Sequence, residues 1–130
     1  MRTASCRCGA LNAHCAGDPV RVSVCHCLDC QRRSGSAFAA QVRFPATHVE
    51  VTGLAREYVH TAESGGKATF RFCPDCGSTI AYVADAMPDV VAVPLGAFGS
   101  LDLPTPAYSV YETRKHPWVE IRGEGVEHYD

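Results

Sequence analysis

The 130-residue sequence has few lysines and no long hydrophobic run, and each absence excludes a class of protein. Lys67 and Lys115 are the only lysines, and the formal charge of −2 argues against a surface for nucleic acid or anionic lipid. The longest apolar stretch, Val90 to Leu95, is of strand length, whereas a bilayer span requires about 20 residues. No apolar segment of the signal-peptide type follows Met1. We therefore expect a cytoplasmic protein with neither a membrane nor a nucleic-acid partner.

The length suits one domain over residues 1–130, and the apolar content of 46% is ordinary for a globular protein. Frequent glycines and prolines leave little room for long helices. One short helix is predicted from Leu28 to Ser34, ended by Gly35. Alternating apolar residues predict several short strands instead, at Val20/Val22/Val24, Phe38/Ala40/Val42/Phe44, Val49/Val51, Phe70/Phe72, Ile80/Tyr82 and Tyr108/Val110. The continuous apolar run Val90–Val93 predicts a buried strand. The sequence thus predicts a mainly β, single-domain fold of short antiparallel strands.

Cysteine is unusually frequent, with eight residues in the chain. The reducing cytoplasm argues against disulfides, and so does the close Cys-x-Cys and Cys-x-x-Cys spacing, which would not join distant loops. Clusters made only of sulfur favour zinc. We therefore interpret the seven clustered cysteines as metal ligands and Cys15, which lies in no motif, as a buried free thiol.

Two short pairs are suited to a closed structural zinc site with four thiolates. They are Cys6/Cys8 and Cys73/Cys76, each followed by a glycine that suits a tight turn. The remaining three, Cys25, Cys27 and Cys30, would leave one position on a tetrahedral zinc open, which is typical of a catalytic site. Two alternatives remain: His26 could fill that position, or His14 or Cys15 could close the site from a neighbouring strand.

Three cysteine motifs and three other segments occur in a fixed order along the chain. They are Cys6-x-Cys8-Gly9-Ala10, Cys25-His26-Cys27-x-x-Cys30-Gln31, Ser34-Gly35-Ser36-Ala37-Phe38, Phe72-Cys73-x-x-Cys76-Gly77, Gly96 and Glu112 to Trp118. Together they resemble the glutathione-dependent formaldehyde-activating enzyme family, to which centromere protein V also belongs. The resemblance implies a small zinc-binding β fold related to peptide methionine sulfoxide reductase B. It also implies two zinc ions, one structural and one catalytic, on the two cysteine sets described above.

The activity implied by the resemblance is that of a zinc-dependent carbon–sulfur lyase of the S-(hydroxymethyl)glutathione synthase type. Such an enzyme adds glutathione or a similar thiol to formaldehyde or a related small aldehyde, or catalyses the reverse. Because zinc binds soft sulfur well, a substrate thiol could occupy the open position as a thiolate. The alternative hypothesis is a zinc-stabilised binding module without catalysis.

Four further side chains are candidates for roles near the Cys25, Cys27 and Cys30 set. His26 could donate the proton to the product alkoxide, although a turn residue bonded to the backbone is the interpretation we favour. Arg32 and Arg33 could hold a carboxylate of glutathione, but we favour the interpretation that one of them offsets the negative charge of the zinc site and the other is solvated. Trp118 could line a pocket, but a core position is favoured.

Exposed edge strands would allow two copies to pair as a homodimer.

Overall fold

Two β-sheets and one short α-helix make up the protein in a computed structural model that describes residues 1–130. The elements are β1 Arg2–Ser5, β2 Asn12–Cys15, β3 Arg21–Cys25, α1 Leu28–Ser34, β4 Ala39–Pro45, β5 Val49–Thr52, β6 Arg56–Thr61, β7 Lys67–Phe72, β8 Thr79–Ala84, β9 Val90–Pro94, β10 Tyr108–Val110 and β11 Glu127–His128. The smaller sheet has the strand order β1-β2-β5, and the larger has the order β11-β10-β3-β4-β9-β8-β7-β6. The mainly β prediction is confirmed, whereas the relation to peptide methionine sulfoxide reductase B stays a prediction.

Most neighbouring strands are antiparallel, as predicted, but β10 is an exception. It runs parallel to β3, with Ser109 opposite Val24, and parallel to β11 on its other side. Most of the chain lies between β3 and β10, and long connections of this kind permit parallel pairing. The predicted antiparallel pairing therefore holds for most of the fold, and parallel pairing is confined to this edge.

One face of the large sheet packs against the small sheet and forms the core. Alternation along β3 and β4 turns Val22, Val42 and Phe44 inward, where each is almost fully buried. The complete core cluster contains Ala4, Cys6, Leu11, Ala13, Cys15, Val22, Val42, Phe44, Cys73, Ile80, Ala81, Val91 and Val93. Two cysteines of the four-cysteine set are therefore anchored in the core.

The opposite face of the large sheet carries polar side chains between β3 and β4. The register places Ser23 opposite Gln41 and Arg21 opposite Arg43 on this face. Cys25 lies opposite Ala39 on the same face of β3 as Ser23 and Arg21. It is the last residue of β3, close to the start of helix α1. The strand register therefore aligns a cysteine, a serine–glutamine pair and an arginine pair along one line.

Helix α1 has the predicted limits. It begins after Cys27, whose sulfur accepts a hydrogen bond from the Cys30 backbone N–H at 3.3 Å. It ends at Gly35, which has a left-handed φ of 70°. Its residue Arg33 extends over the stacked rings of Phe70 and Tyr82, 5.4 and 5.0 Å from their centroids. The helix is thereby held over the polar face of the sheet. No helix has the length and apolarity that a membrane span requires.

One packing prediction near the C-terminus is wrong. Trp118 is 75% exposed and contacts His116, because the chain there forms turns over the surface, and its neighbour Val119 is buried instead. The strand predicted at Tyr108/Val110 is present as β10. Its buried residue is Ser109, whereas the apolar neighbours Tyr108 and Val110 face a cavity.

Candidate metal centres and their cavities

Cys6, Cys8, Cys73 and Cys76 bring their sulfur atoms within 4.8 Å of one another. The Cys8 sulfur lies 3.6 Å from that of Cys6 and 3.7 Å from that of Cys73. A disulfide would require about 2.05 Å. Four sulfurs about 2.3 Å from a zinc ion stand about 3.8 Å apart, so the observed distances fit tetrahedral zinc.

Two similar turns bring these sulfurs together. In the first, the Cys6 N–H donates to the Leu11 carbonyl at 2.9 Å, and in the second the Cys73 N–H donates to the Ser78 carbonyl at 3.0 Å. Gly77 has φ of 79°, and a Cβ there would meet no atom within 4 Å. The glycine is therefore required for its backbone conformation, as expected for a tight turn, and not for lack of space around it.

Hydrogen bonding within the second turn favours an ionised sulfur. The Ser78 hydroxyl lies 3.4 Å from the Cys76 sulfur. This side chain, followed by backbone groups of Ser78 and Cys8, lowers the pKa of Cys76 to about 5. Thiolates are the form in which cysteine binds metal, so this environment suits a ligand.

Cys25, Cys27 and Cys30 form the second cluster, also with all sulfurs within 4.8 Å of one another. A hydrogen bond between Cys25 and Cys30 lowers the pKa of Cys25 and raises that of Cys30. Three sulfurs this close cannot all ionise without a nearby cation. The cluster therefore fits a metal ion that would supply the compensating charge.

Neither neighbouring candidate joins this cluster as a fourth ligand. Cys15 lies in the core on β2, where burial raises its pKa to about 11. His14 is on the small sheet, with Nδ1 3.2 Å from Thr3 and Nε2 3.0 Å from Thr52. The cluster thus contains three cysteines and no other ligand.

His26 is fully buried and directed toward β10. Its Nε2 lies 2.9 Å from the Ser109 hydroxyl, which donates to the Glu112 carboxylate at 2.6 Å. Burial lowers the pKa of His26, and Glu112 partly opposes this effect. Because His26 lines neither cavity described below, the geometry does not support direct proton donation to a substrate.

A cavity of about 470 Å³, here called the sulfur cavity, opens beside the three-cysteine cluster. Cys25 and Cys30 are part of its wall, and no acidic side chain lines it. The lining residues are Arg21, Ser23, Cys25, Cys30, Gln41, Arg43, Tyr82, Tyr108, Val110 and Tyr111. This is the cavity in which a small molecule could reach the sulfur cluster.

A second cavity of about 500 Å³, here called the helix cavity, lies beside α1 and contains no cysteine. Its lining residues are Asp29, Arg32, Arg33, Tyr58, His60, Phe70, Phe72, Gly77 and Thr79. Arg32 and Arg33 therefore belong to a cavity without sulfur. The Arg33 guanidinium lies over Phe70, which lines the helix cavity, and over Tyr82, which lines the sulfur cavity.

Sequence reasoning missed the polar residues of the sulfur cavity. Gln41 and Arg43 alternate with the core residues Val42 and Phe44 on β4. The same alternation that identified the core therefore also placed these two side chains on the opposite face. Only the pairing of β4 with β3 reveals that this face continues to Cys25.

The fold and the site define a small β protein with two cysteine clusters that could bind metal ions. A sequence profile described as "Glutathione-dependent formaldehyde-activating enzyme" matches residues 1–114, a range that includes both clusters. The chain belongs to this family, whose name implies an enzyme of formaldehyde activation.

A solved structure shares the fold. The protein is similar to the crystal structure of a Rhodobacter sphaeroides protein, with a TM-score of 0.60 and 18% sequence identity. The similarity covers 77% of this chain and 90% of that one. No curated protein matches the sequence.

Proposed function

We propose that this protein adds the thiol of glutathione, or of a similar compound, to formaldehyde at the Cys25, Cys27 and Cys30 cluster. A carbon–sulfur bond forms while the carbonyl π bond breaks, and the thiol proton is ultimately transferred to the oxygen. The product is a hydroxymethyl thioether, and the reverse reaction makes the protein a carbon–sulfur lyase. Family membership supports the reaction class.

One observation carries the proposal: the three-cysteine cluster lies in the wall of an open cavity and has no fourth protein ligand. Four sulfurs can complete a tetrahedral zinc site in the other cluster, which makes that cluster suitable for a structural ion. We propose that each cluster binds one zinc ion. Cys6, Cys8, Cys73 and Cys76 would hold the structural ion, and Cys25, Cys27 and Cys30 would hold the catalytic ion. When bound at the second cluster, zinc supplies a Lewis acid that keeps a thiol deprotonated near neutral pH.

We propose that Tyr82 stabilises the oxygen that becomes negative during addition. It lines the sulfur cavity, and burial raises the pKa of its phenol to about 12, so the hydroxyl stays protonated at neutral pH. A neutral hydroxyl can donate a hydrogen bond to a developing alkoxide. This role replaces the one suggested for His26 from sequence.

The test compares Cys30→Ser with Cys15→Ala, which removes a cysteine outside both clusters. We expect two zinc ions per chain in the native protein and in Cys15→Ala, and one in Cys30→Ser. Formation of the hydroxymethyl thioether from isotopically labelled formaldehyde and glutathione, followed by NMR, should be accelerated only by the two-zinc proteins. If the native protein does not accelerate the reaction above its uncatalysed rate, the result would favour the non-catalytic binding module. Full activity in Cys30→Ser would contradict the proposed site.

A further inference from the structure

His26, the residue between the first two sulfurs of the three-cysteine cluster, is fixed through both its backbone and its ring. Its N–H donates to the Val110 carbonyl at 3.1 Å, and its carbonyl accepts from Nε2 of Gln31 on α1 at 2.8 Å. Its ring is fully buried and meets the Ser109 hydroxyl through Nε2 at 2.9 Å. Strand β10 and helix α1 therefore hold this residue from two sides.

The parallel register of β10 and β3 places Ser109 beside His26 and away from both cavities. Val110 lies opposite Cys25, so β10 runs alongside the chain where it enters the cysteine motif. Tyr108 and Val110 line the sulfur cavity, whereas Ser109 between them is fully buried and lines neither cavity. A substrate in either cavity would not touch Ser109, which can act only through its neighbours.

Hydrogen bonds assign the proton positions around Ser109. Its hydroxyl donates its one proton to the Glu112 carboxylate at 2.6 Å, and the same carboxylate oxygen accepts from Nδ1 of His128 at 2.8 Å. The Ser109 oxygen is then left as an acceptor, so we assign the proton of His26 to Nε2. Glu112 thereby fixes both the direction of the hydroxyl and the tautomer of the ring.

The stability of the core does not explain a histidine at position 26. With its proton on Nε2, the ring keeps Nδ1 as an acceptor, and this atom is buried without a hydrogen-bond partner. Such an atom costs free energy, whereas an apolar ring of the same shape would not. His26 also contributes no ligand to the sulfur cluster. What the ring adds is its directional bond to Ser109, which fixes the turn that carries Cys25 and Cys27.

We infer that Ser109 is a positioning residue for the metal site: through His26 it fixes the turn that carries Cys25 and Cys27, and so raises the affinity of the three-cysteine cluster for zinc. This inference rests on the proposed function, because it takes a zinc ion to bind at this cluster. Groups that orient metal ligands change metal affinity by about 10- to 100-fold. Because the bond from Ser109 reaches the ligands through the intervening residue, we expect about tenfold.

Chelator competition on the zinc-loaded protein measures the two clusters separately. Zinc per chain is followed as the concentration of a chelator of known zinc affinity rises, and the release step that is missing in Cys30→Ser belongs to the three-cysteine cluster. Ser109→Ala should lower the zinc affinity of this step about tenfold. The same substitution in the Cys30→Ser background, which keeps only the four-cysteine zinc, should change nothing. A general loss of folding stability would instead weaken both clusters.

Two matched variants test the contact itself. His26→Phe keeps a ring that can pack against Phe38, 5.9 Å away between centroids, but lacks Nε2. It should lower the affinity of the same step about tenfold, and combining it with Ser109→Ala should add no further loss, because both substitutions remove one bond. Thr52→Val is the control: it removes a hydroxyl 3.0 Å from Nε2 of His14 and should leave both steps at their native affinities.

The outcomes separate this inference from the proposed function. A native affinity of the three-cysteine step in Ser109→Ala would overturn the inference, as would equal losses at the two clusters or additive losses in the double variant. If Ser109→Ala does not fold, a native affinity in His26→Phe would overturn it. A native protein without a zinc step that Cys30→Ser removes would overturn both proposals. A loss confined to this cluster, in a protein that does not accelerate thiol addition to formaldehyde, would overturn the proposed function and leave the inference intact.

Discussion

The sulfur atoms of Cys8 and Cys73 lie 3.7 Å apart although 65 residues separate them in the chain. This contact joins a turn after β1 to a turn between β7 and β8, and Cys73 itself lies in the core. A metal ion at this cluster would cross-link the small sheet to the large one. The three-cysteine cluster differs because it lies in the wall of an open cavity.

Gly77→Ala should destabilise the protein through the backbone of the second cysteine turn. Gly77 has φ of 79°, and an added Cβ would contact no other atom. The loss in unfolding free energy, about 1 kcal/mol or more, would therefore come from the strained backbone conformation. Gly66→Ala is the control, because Gly66 lies in the β6–β7 turn without a left-handed φ. This substitution should lower the free energy of unfolding by less than about 0.5 kcal/mol. Urea unfolding of zinc-loaded samples measures both, and equal losses would contradict the explanation.

Tyr82→Phe should lower kcat for thiol addition by about 10- to 100-fold, because it removes the hydroxyl proposed to stabilise the developing alkoxide. The zinc content and the affinity for the thiol should remain close to native values. Tyr58→Phe, in the helix cavity, removes an equivalent hydroxyl away from the sulfur cluster and should leave kcat unchanged. A native kcat in Tyr82→Phe would exclude this role.

Glu112→Gln should reduce stability at neutral pH and reduce the loss of stability in acid. Burial raises the pKa of Glu112, but hydrogen bonds from His128 and Ser109 outweigh it and hold the pKa below its ordinary value of 4.5. A lowered folded-state pKa stabilises the protein above the unfolded value, and this contribution disappears as pH falls through the folded value.

The difference in unfolding free energy between native protein and Glu112→Gln should therefore be largest above about pH 4.5 and shrink below it. Urea unfolding across this range measures the difference. Glu120→Gln, at an exposed position, controls for acid release of zinc, which should affect both variants alike. A constant difference at all pH values would contradict the assignment.

Local features of the sequence predicted local features of the fold. Gly35 predicted the end of α1, and the alternation at Ile80 and Tyr82 predicted strand β8. The buried strand at Val90–Pro94 followed from its continuous apolar residues. In each case the signal lies within a few residues, where turn chemistry and side-chain periodicity act directly.

Features that depend on strand pairing could not be predicted from single segments. Gln41 and Arg43 reach the sulfur cavity only because β4 pairs with β3 in one register. Ser109 becomes the hydrogen-bond partner of His26 only because β10 returns parallel to β3. Trp118 was misplaced because hydrophobicity alone does not reveal whether a turn segment is covered by other elements.

We propose that one cysteine cluster is closed and that the other accepts a substrate thiol. X-ray absorption at the zinc edge of the two-zinc protein measures the mean number of sulfur neighbours. We expect about 3.5 sulfurs per zinc without added thiol and about 4 after glutathione is added, since a site with three protein sulfurs gains one and a site with four gains none. A value that does not change when glutathione is added would contradict an open site at Cys25, Cys27 and Cys30.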